Sequence, residues 1–203
     1  MASARTIKPS EDPEVLAAKD DIGDLAAGRV IDGAIDRFGR INTLVNNAGV
    51  VISNPFTYYT AADYALVVEV NLSGFFWVTQ RAIAEMTVRY DGQVVTISAA
   101  LAEAATPGTP AAPAALTKGG LAAAGRSLAV EYASLGIRVN AVSPGIIQTP
   151  AHAPESREHL AGRRPPLGRA GQVSDVAGAL FLATSPSITG GILHIDGGQV
   201  ADH

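Results

Sequence analysis

Apolar residues along this chain recur in two alternating rhythms. Between Asp24 and Gly39, the positions Val30, Ile31, Ala34, Ile35 and Phe38 fall one, three or four apart, which gathers them on one face of a helix. Asp24 is placed to cap that helix over 24–38, and Gly39 to stop it. The run from Thr43 to Asn46 is short and bounded by small polar residues, the pattern of a buried strand. Thr60-Ala61-Ala62-Asp63 predicts a capping box that opens a long helix towards Met86. Gln93 to Ser98 reads as a strand. From Thr109-Pro110 to about Ser134 the pattern is again helical, with Gly136 behind its end. Ile137 to Val142 is a strand, Ser174 caps a helix to about Thr184, and Gly191 to Ile195 forms the last strand.

Short strands separated by longer helices imply parallel strands joined by crossover helices. The connections are short, so residues 1–203 are expected to form one doubly wound α/β domain. Folds of this kind bind ligands beyond the carboxyl ends of their strands. Asn47-Ala48-Gly49 and Ser143-Pro144-Gly145 stand at two such ends, where small residues let a ligand approach the backbone. Each of these, taken alone, also fits an ordinary turn.

Composition narrows the function classes. A net charge of −4 provides no broad basic surface for nucleic acid or an anionic membrane. The apolar runs fall far short of the ~20 residues that span a bilayer. Met1-Ala2-Ser3-Ala4-Arg5 has no apolar segment of the kind a signal peptide needs, so a cytoplasmic location is expected. With no cysteine there is neither a disulfide framework nor thiolate chemistry. Four histidines, at 152, 159, 194 and 203, are too scattered to make a metal site from sequence.

Several short stretches then occur together and in order. They are Asp21-Ile22, Leu44-Val45-Asn46-Asn47-Ala48-Gly49, Val70-Asn71-Leu72, Val95-Thr96-Ile97-Ser98 and Lys118-Gly119-Gly120. Ile137 to Gly145, Ile147, Thr149 and Asp196-Gly197-Gly198 complete the series. From about Ala17 onward the chain therefore resembles the short-chain dehydrogenase/reductase family. That resemblance implies a Rossmann-type fold, NADP or NAD as cofactor, and hydride exchange with a small-molecule substrate. It also implies a homodimer or homotetramer, formed through the Ala-rich helix around Ala111 to Ala124 and the helix after Asn71.

The resemblance assigns roles by position. Asp21 and Ile22 would meet adenine, and Asn47, Ala48 and Gly49 the adenosine ribose. Lys118 would bind the nicotinamide ribose, with Asn71 holding a water that links it to solvent. Ile147 and Thr149 would meet the nicotinamide half. Arg5 stands where NADP-preferring members often place a guanidinium against the 2′-phosphate, and it reads equally well as a terminal residue.

Two departures from the family stand out. No glycine-rich turn of the G-x-G-x-x-G kind occurs in these 203 residues. The first βα unit, on the order of 30 residues, is therefore expected to be missing, through a misassigned start or a real deletion. Because the absent strand is central in the order 3-2-1-4-5-6, the strand at Leu44 would lose one neighbour. The second departure is catalytic. The family's Tyr lies four residues before its Lys, but here that position is Ala114, and no tyrosine occurs between Tyr90 and Tyr132. Ser98 stands close to the family's oxyanion-binding Ser, whose nearest register falls one place later, at Ala99. The catalytic set is thereby reduced to Ser98, Lys118 and Asn71. Losing a positioned proton donor typically costs about 10²–10⁴-fold in rate. His152 is one substitute donor, or simply an exposed loop histidine; Tyr58 and Tyr59 are others, or packing residues. Two functional readings follow: an NAD(P)-dependent oxidoreductase with an atypical active site, or a catalytically inactive dinucleotide sensor or oligomer partner.

Overall fold

Four parallel strands build the main sheet of the computed structural model, which describes residues 1–24, 27–105, 108–149, 165–183 and 185–202. They are β3 (Thr43–Asn46), β4 (Gly92–Ile97), β5 (Ile137–Pro144) and β8 (Ile192–Ile195), side by side in that order. Two further strand pairs stand apart from it. β1 (Ala2–Ser3) pairs with β2 (Ala17–Ala18), and β6 (Ile147–Gln148) with β7 (Gly171–Gln172), both in parallel. Helices α1 (Arg29–Phe38), α2 (Ala61–Val68), α3 (Gly74–Thr87), α4 (Ala112–Tyr132) and α5 (Val173–Ala183) connect the strands. The parallel, Rossmann-type α/β fold expected from the sequence is the one observed.

The two-residue alternation of the strands sorts their side chains onto two faces. Leu44, Val94, Ile137 and Val139 join Ile31 of α1, Val78, Ala82 and Met86 of α3, and Ala129 of α4 in one core. Val95 and Val142 point the other way, onto Ala179, Val176 and Leu180 of α5. Val78, Ala82 and Met86 stand four residues apart, so α3 lays one continuous apolar stripe on the sheet. Burying a Val or Met side chain in this way stabilises by roughly 1.5–3 kcal/mol each. Among the described residues, no helix is long and apolar enough to cross a membrane.

Several boundaries differ from those the sequence predicts. Helix α1 begins at Arg29, not Asp24, and its N-terminal residue Gly28 provides no side-chain cap. Ahead of it Ala27 is buried in the same core, but the backbone bonds there span three residues, Ala27 N–H to Asp24 O and Ile31 N–H to Gly28 O, each at 2.9 Å, a tighter turn than the α-helix. Its end is as expected: Gly39 takes a left-handed φ of 76° and its N–H bonds to Ile35 O. The capping box at Thr60 and Asp63 is present, but the helix it opens is interrupted by a π-helical turn over Glu69–Ser73. There the Gly74 N–H reaches back to Glu69 O, five residues earlier. Ser174, expected as a cap, lies inside α5. The carboxylate of Asp175 instead accepts the N–H of Gln172 at 2.9 Å.

The sheet is not symmetrical about its strands. β4 is flanked on both sides, by β3 and β5, whereas β3 pairs with β4 alone among the described residues. The open side of the Leu44 strand anticipated above is thus a feature of the structure.

Candidate functional site

A cleft of about 930 Å³ lies on that open side. Its walls include β1 and Arg5, the Asp20–Ile22 segment after β2, and β3 with the Asn47–Gly49 turn that follows it. Of the residues matched to cofactor contacts, Arg5, Asp21, Ile22, Asn47, Ala48 and Gly49 are brought together here. Asp21 is held by its own turn, its carboxylate accepting the Gly23 N–H at 3.1 Å. Ile22 is fixed from behind by α3, because Gly74 has no side chain where a Cβ would stand 2.8 Å from Ile22 O.

At the Gly49 end of the cleft two helical elements deliver buried polar side chains. The π-helical turn presents Asn71, which is 1% exposed. Its Oδ1 accepts the Val50 N–H at 2.8 Å, while its Nδ2 donates to Val50 O and Thr117 Oγ1, each at 3.0 Å. Both N–H groups of the carboxamide are thereby committed, and only the second lone pair of Oδ1 is left for a water. Thr117 donates in turn to the Pro113 carbonyl, so α4, the π-helical turn and the loop at Val50 are tied into one unit. Asn71 stands in the middle of that wide turn and faces the Val50 backbone.

Lys118, on the next position of α4, is 6% exposed. Its Nζ donates to Ile97 O at 2.7 Å, at the end of β4. Burial lowers its pKa from the ordinary 10.5 to about 8, because desolvation penalises the charged form. Gly49 makes room for this ammonium: a Cβ there would stand 2.9 Å from Lys118 Nζ and 3.3 Å from Asn71 Oδ1. Lys118 and Asn71 therefore stand on either side of the space that a Gly49 side chain would fill.

Other residues are placed differently. Ser98 is buried and its hydroxyl donates to Lys118 O at 3.1 Å, tying the end of β4 to α4. Ala114 is fully buried one turn before Lys118 and brings no ionisable group. Ile147 sits in β6, paired with β7, and neither it nor Thr149 is part of the cleft wall. The hydroxyl of Tyr59 donates to Ile52 O at 2.7 Å and accepts the Asn54 N–H, which closes a loop, and Tyr58 is exposed to solvent. His152 lies outside the described residues.

Sequence reasoning missed one polar cluster. Glu103 accepts the Ser143 hydroxyl at 3.0 Å, and His194 Nε2 lies 3.0 Å from both of its carboxylate oxygens. The three residues stand after β4, near the end of β5 and in β8. Separations of 40 and 91 residues conceal them from any local motif. Among the described residues, no group of three or more His, Cys, Asp or Glu is arranged to hold a metal ion.

Comparison with known proteins bears on this geometry. A family model described as Enoyl-(Acyl carrier protein) reductase matches residues 7–199. The chain is 37% identical over 194 residues to the (2S)-[(R)-hydroxy(phenyl)methyl]succinyl-CoA dehydrogenase subunit BbsD of Thauera aromatica, covering 91% of this chain and 76% of that protein. It is 38% identical over 176 residues to the 3-oxoacyl-[acyl-carrier-protein] reductase FabG of Thermotoga maritima, covering 84% and 71%. Among solved structures it is similar to a gluconate 5-dehydrogenase from Burkholderia cenocepacia in complex with NADP and tartrate. There the TM-score is 0.82 at 30% identity, with 92% of this chain and 75% of that chain covered.

Proposed function

The chain belongs to the short-chain dehydrogenase/reductase family, and from that premise we propose that it is an NAD(P)-dependent oxidoreductase with an atypical active site. The substrate is a small organic carbonyl or the corresponding alcohol. The observation that carries this reading is the buried Lys118 ammonium, set beside Gly49 and aligned with Asn71 at the end of the cleft.

The residues present fit the nucleoside parts of such a cofactor. Asp21 and Ile22 would hold adenine, and Asn47, Ala48 and Gly49 the adenosine ribose, with Arg5 beside the 2′ position when NADP is bound. Because Gly49 leaves the Lys118 ammonium uncovered by a side chain, hydroxyls of the nicotinamide ribose can reach it. Ile147 and Thr149 belong to the proposal as contacts of the nicotinamide half, made by the segment after β5. A bound nicotinamide dinucleotide supplies the hydride. Everything else falls to the protein. Lys118 orders the ribose, Asn71 fixes the Val50 loop and keeps one lone pair for a water, and Ser98 secures the helix that carries Lys118.

Proton transfer is where the site is atypical. Ala114 cannot replace a phenol, but Lys118 titrates near pH 8, so it can hold or release a proton close to neutrality. A specific observation also favours a second reading. With Ala114 buried and Ser98 turned onto the Lys118 carbonyl, the fold retains a nucleotide-binding wall without a full catalytic set, as an inactive sensor or oligomer partner would.

The proposal extends to a cytoplasmic homodimer or homotetramer. A groove of about 470 Å³ between α3 and α4, lined by Phe75, Phe76, Ile83, Leu128 and Tyr132, supports a helix-on-helix interface. Phe76 is 53% exposed there and would be covered by a second copy. Fluorescence titration with NADPH and NADH tests the central reading, with a panel of carbonyls and alcohols to follow. Saturable binding that Gly49→Leu abolishes is expected, because the new side chain would fill the space beside Lys118. Undiminished binding by Gly49→Leu would overturn the assigned site. Binding without turnover across the panel would favour the sensor.

A further inference from the structure

The chain has three lysines, at 8, 19 and 118, and only Lys118 is buried; Lys8 and Lys19 are exposed. Three observations set its side-chain nitrogen apart. Among the described residues its one hydrogen bond goes to Ile97 O at 2.7 Å, and no carboxylate lies within ion-pair distance. Burial without a counter-ion favours the uncharged amine, and a pKa of about 8 leaves roughly half of it in that form at pH 8. Second, the bond to Ile97 fixes the nitrogen without using its lone pair, because a carbonyl accepts a hydrogen and donates none. Third, the nitrogen is bare on the Gly49 side, where a Cβ would stand 2.9 Å from it. Gly49 opens onto the cleft beside Ala48, Val50 and Val70, so the approach is made of small and apolar groups.

We propose that Lys118 is a nucleophilic amine, which condenses with a small uncharged aldehyde or ketone entering from the Gly49 side and gives an imine. The nitrogen lone pair attacks the carbonyl carbon, and a C–N bond forms. Both protons of the amine pass through solvent to the carbonyl oxygen, which leaves as water while the C=N bond closes. Nothing is oxidised or reduced, and hydrolysis by the reverse steps returns the free lysine. The space beside Gly49 limits the partner's size. Its charge is limited by the amine itself, because a carboxylate would pair with the ammonium and hold it protonated. One turn earlier on α4, Ala114 brings no phenol to share the amine's proton. This activity needs no dinucleotide and stands apart from hydride transfer, although it uses the residue that the proposed function assigns to the nicotinamide ribose.

Reductive trapping on the full chain tests the proposal. The protein is treated at pH 8 with propanal and sodium cyanoborohydride, which reduces an imine to a stable secondary amine. Peptide mapping by mass spectrometry then follows Lys118, Lys8, Lys19 and the Met1 amine separately. Lys118 should be alkylated about tenfold or more faster than Lys8 and Lys19, as a desolvated amine is. In urea it should fall to their rate, because the advantage belongs to the folded site. A rate at Lys118 equal to or below that of the exposed lysines would overturn the proposal, as would a lead that persists in urea. Saturating NADPH should suppress labelling at Lys118 alone where the ribose assignment holds. Fast labelling that NADPH leaves untouched would sustain the amine chemistry and overturn the ribose assignment, so the two readings fail separately.

Discussion

Val45 and Val95 are partners in register on neighbouring parallel strands, yet they occupy opposite situations. Val95 is 1% exposed, closed in by α5 and by strands on both sides; Val45 is 41% exposed on the same face of the sheet. Their local sequences, Leu44-Val45-Asn46 and Val94-Val95-Thr96, carry the same strand signal. The difference lies in what stands beside them. A parallel strand reads as apolar because the fold expects cover on both faces, and a valine so encoded remains exposed when cover is missing on one side. The β4–β5 half of the molecule thus holds itself together, while the β3 half presents surface that a further element would bury.

The sharpest way to break that contrast is to place the same charge at both positions. Val95→Asp buries a carboxylate with no partner and should cost about 4 kcal/mol or more, enough to unfold a domain of ordinary stability. Val45→Asp should change stability by no more than roughly 0.5 kcal/mol, as surface substitutions generally do. Urea denaturation followed by circular dichroism reads both. A large loss for Val45→Asp would show that the open face is covered in solution.

How much of this was legible in the sequence depends on the range over which each feature is specified. Strands 43–46 and 137–142, the Thr60 capping box and the stop at Gly39 depend on neighbours a few residues away, and all of them appear. The meeting of Asn71 and Lys118 was legible only through resemblance, since 46 residues separate Asn71 from its partner Thr117. Three things were not legible. The π-helical turn at Glu69–Ser73 leaves no mark in a 3.6-residue rhythm. Orientation of the Ser98 hydroxyl depends on how α4 docks on β4. The Ser143–Glu103–His194 cluster exists only once β4, β5 and β8 are adjacent. In the last two cases the missing information is a tertiary contact, which local propensity does not encode.

Lys118 and Asn71 provide the next two tests, both at the seam between the halves. A lysine whose folded pKa is lowered binds fewer protons than the unfolded chain in the window between the two values. Stability should therefore rise with pH from about 8 towards 10.5. Lys118→Met removes that dependence. The stability of the wild type relative to Lys118→Met should increase by about 3 kcal/mol across the window, as the shift from 10.5 to about 8 implies. Paired thermal melts at pH 7.5, 9 and 10.5 check it, and a flat difference would mean that the ammonium is solvated. Asn71→Ala leaves the Val50 N–H and C=O and the Thr117 hydroxyl short of a partner, which should cost about 2 kcal/mol. Faster hydrogen exchange at the Val50 amide, with the Val94 amide unaffected, would place that loss at the seam.

The smallest effect belongs to the element least concerned with the contrast. Thr60 caps α2: its side chain accepts the Asp63 N–H, and the Asp63 carboxylate accepts the Thr60 N–H at 2.9 Å. The Thr60 N–H foremost, and the Thr60 hydroxyl that donates to the same carboxylate at 2.7 Å, hold the Asp63 carboxyl below its ordinary pKa. Thr60→Ala should cost about 1 kcal/mol, the usual loss for removing such a cap. Because the interaction spans three residues, it should be independent of what happens at the open edge of β3. Double-mutant comparison with Val45→Asp should likewise be additive within about 0.5 kcal/mol, as it is for sites that share no partners. Coupling beyond that margin would mean that the open edge communicates with α2 through the π-helical turn, and the two halves could no longer be treated as separate.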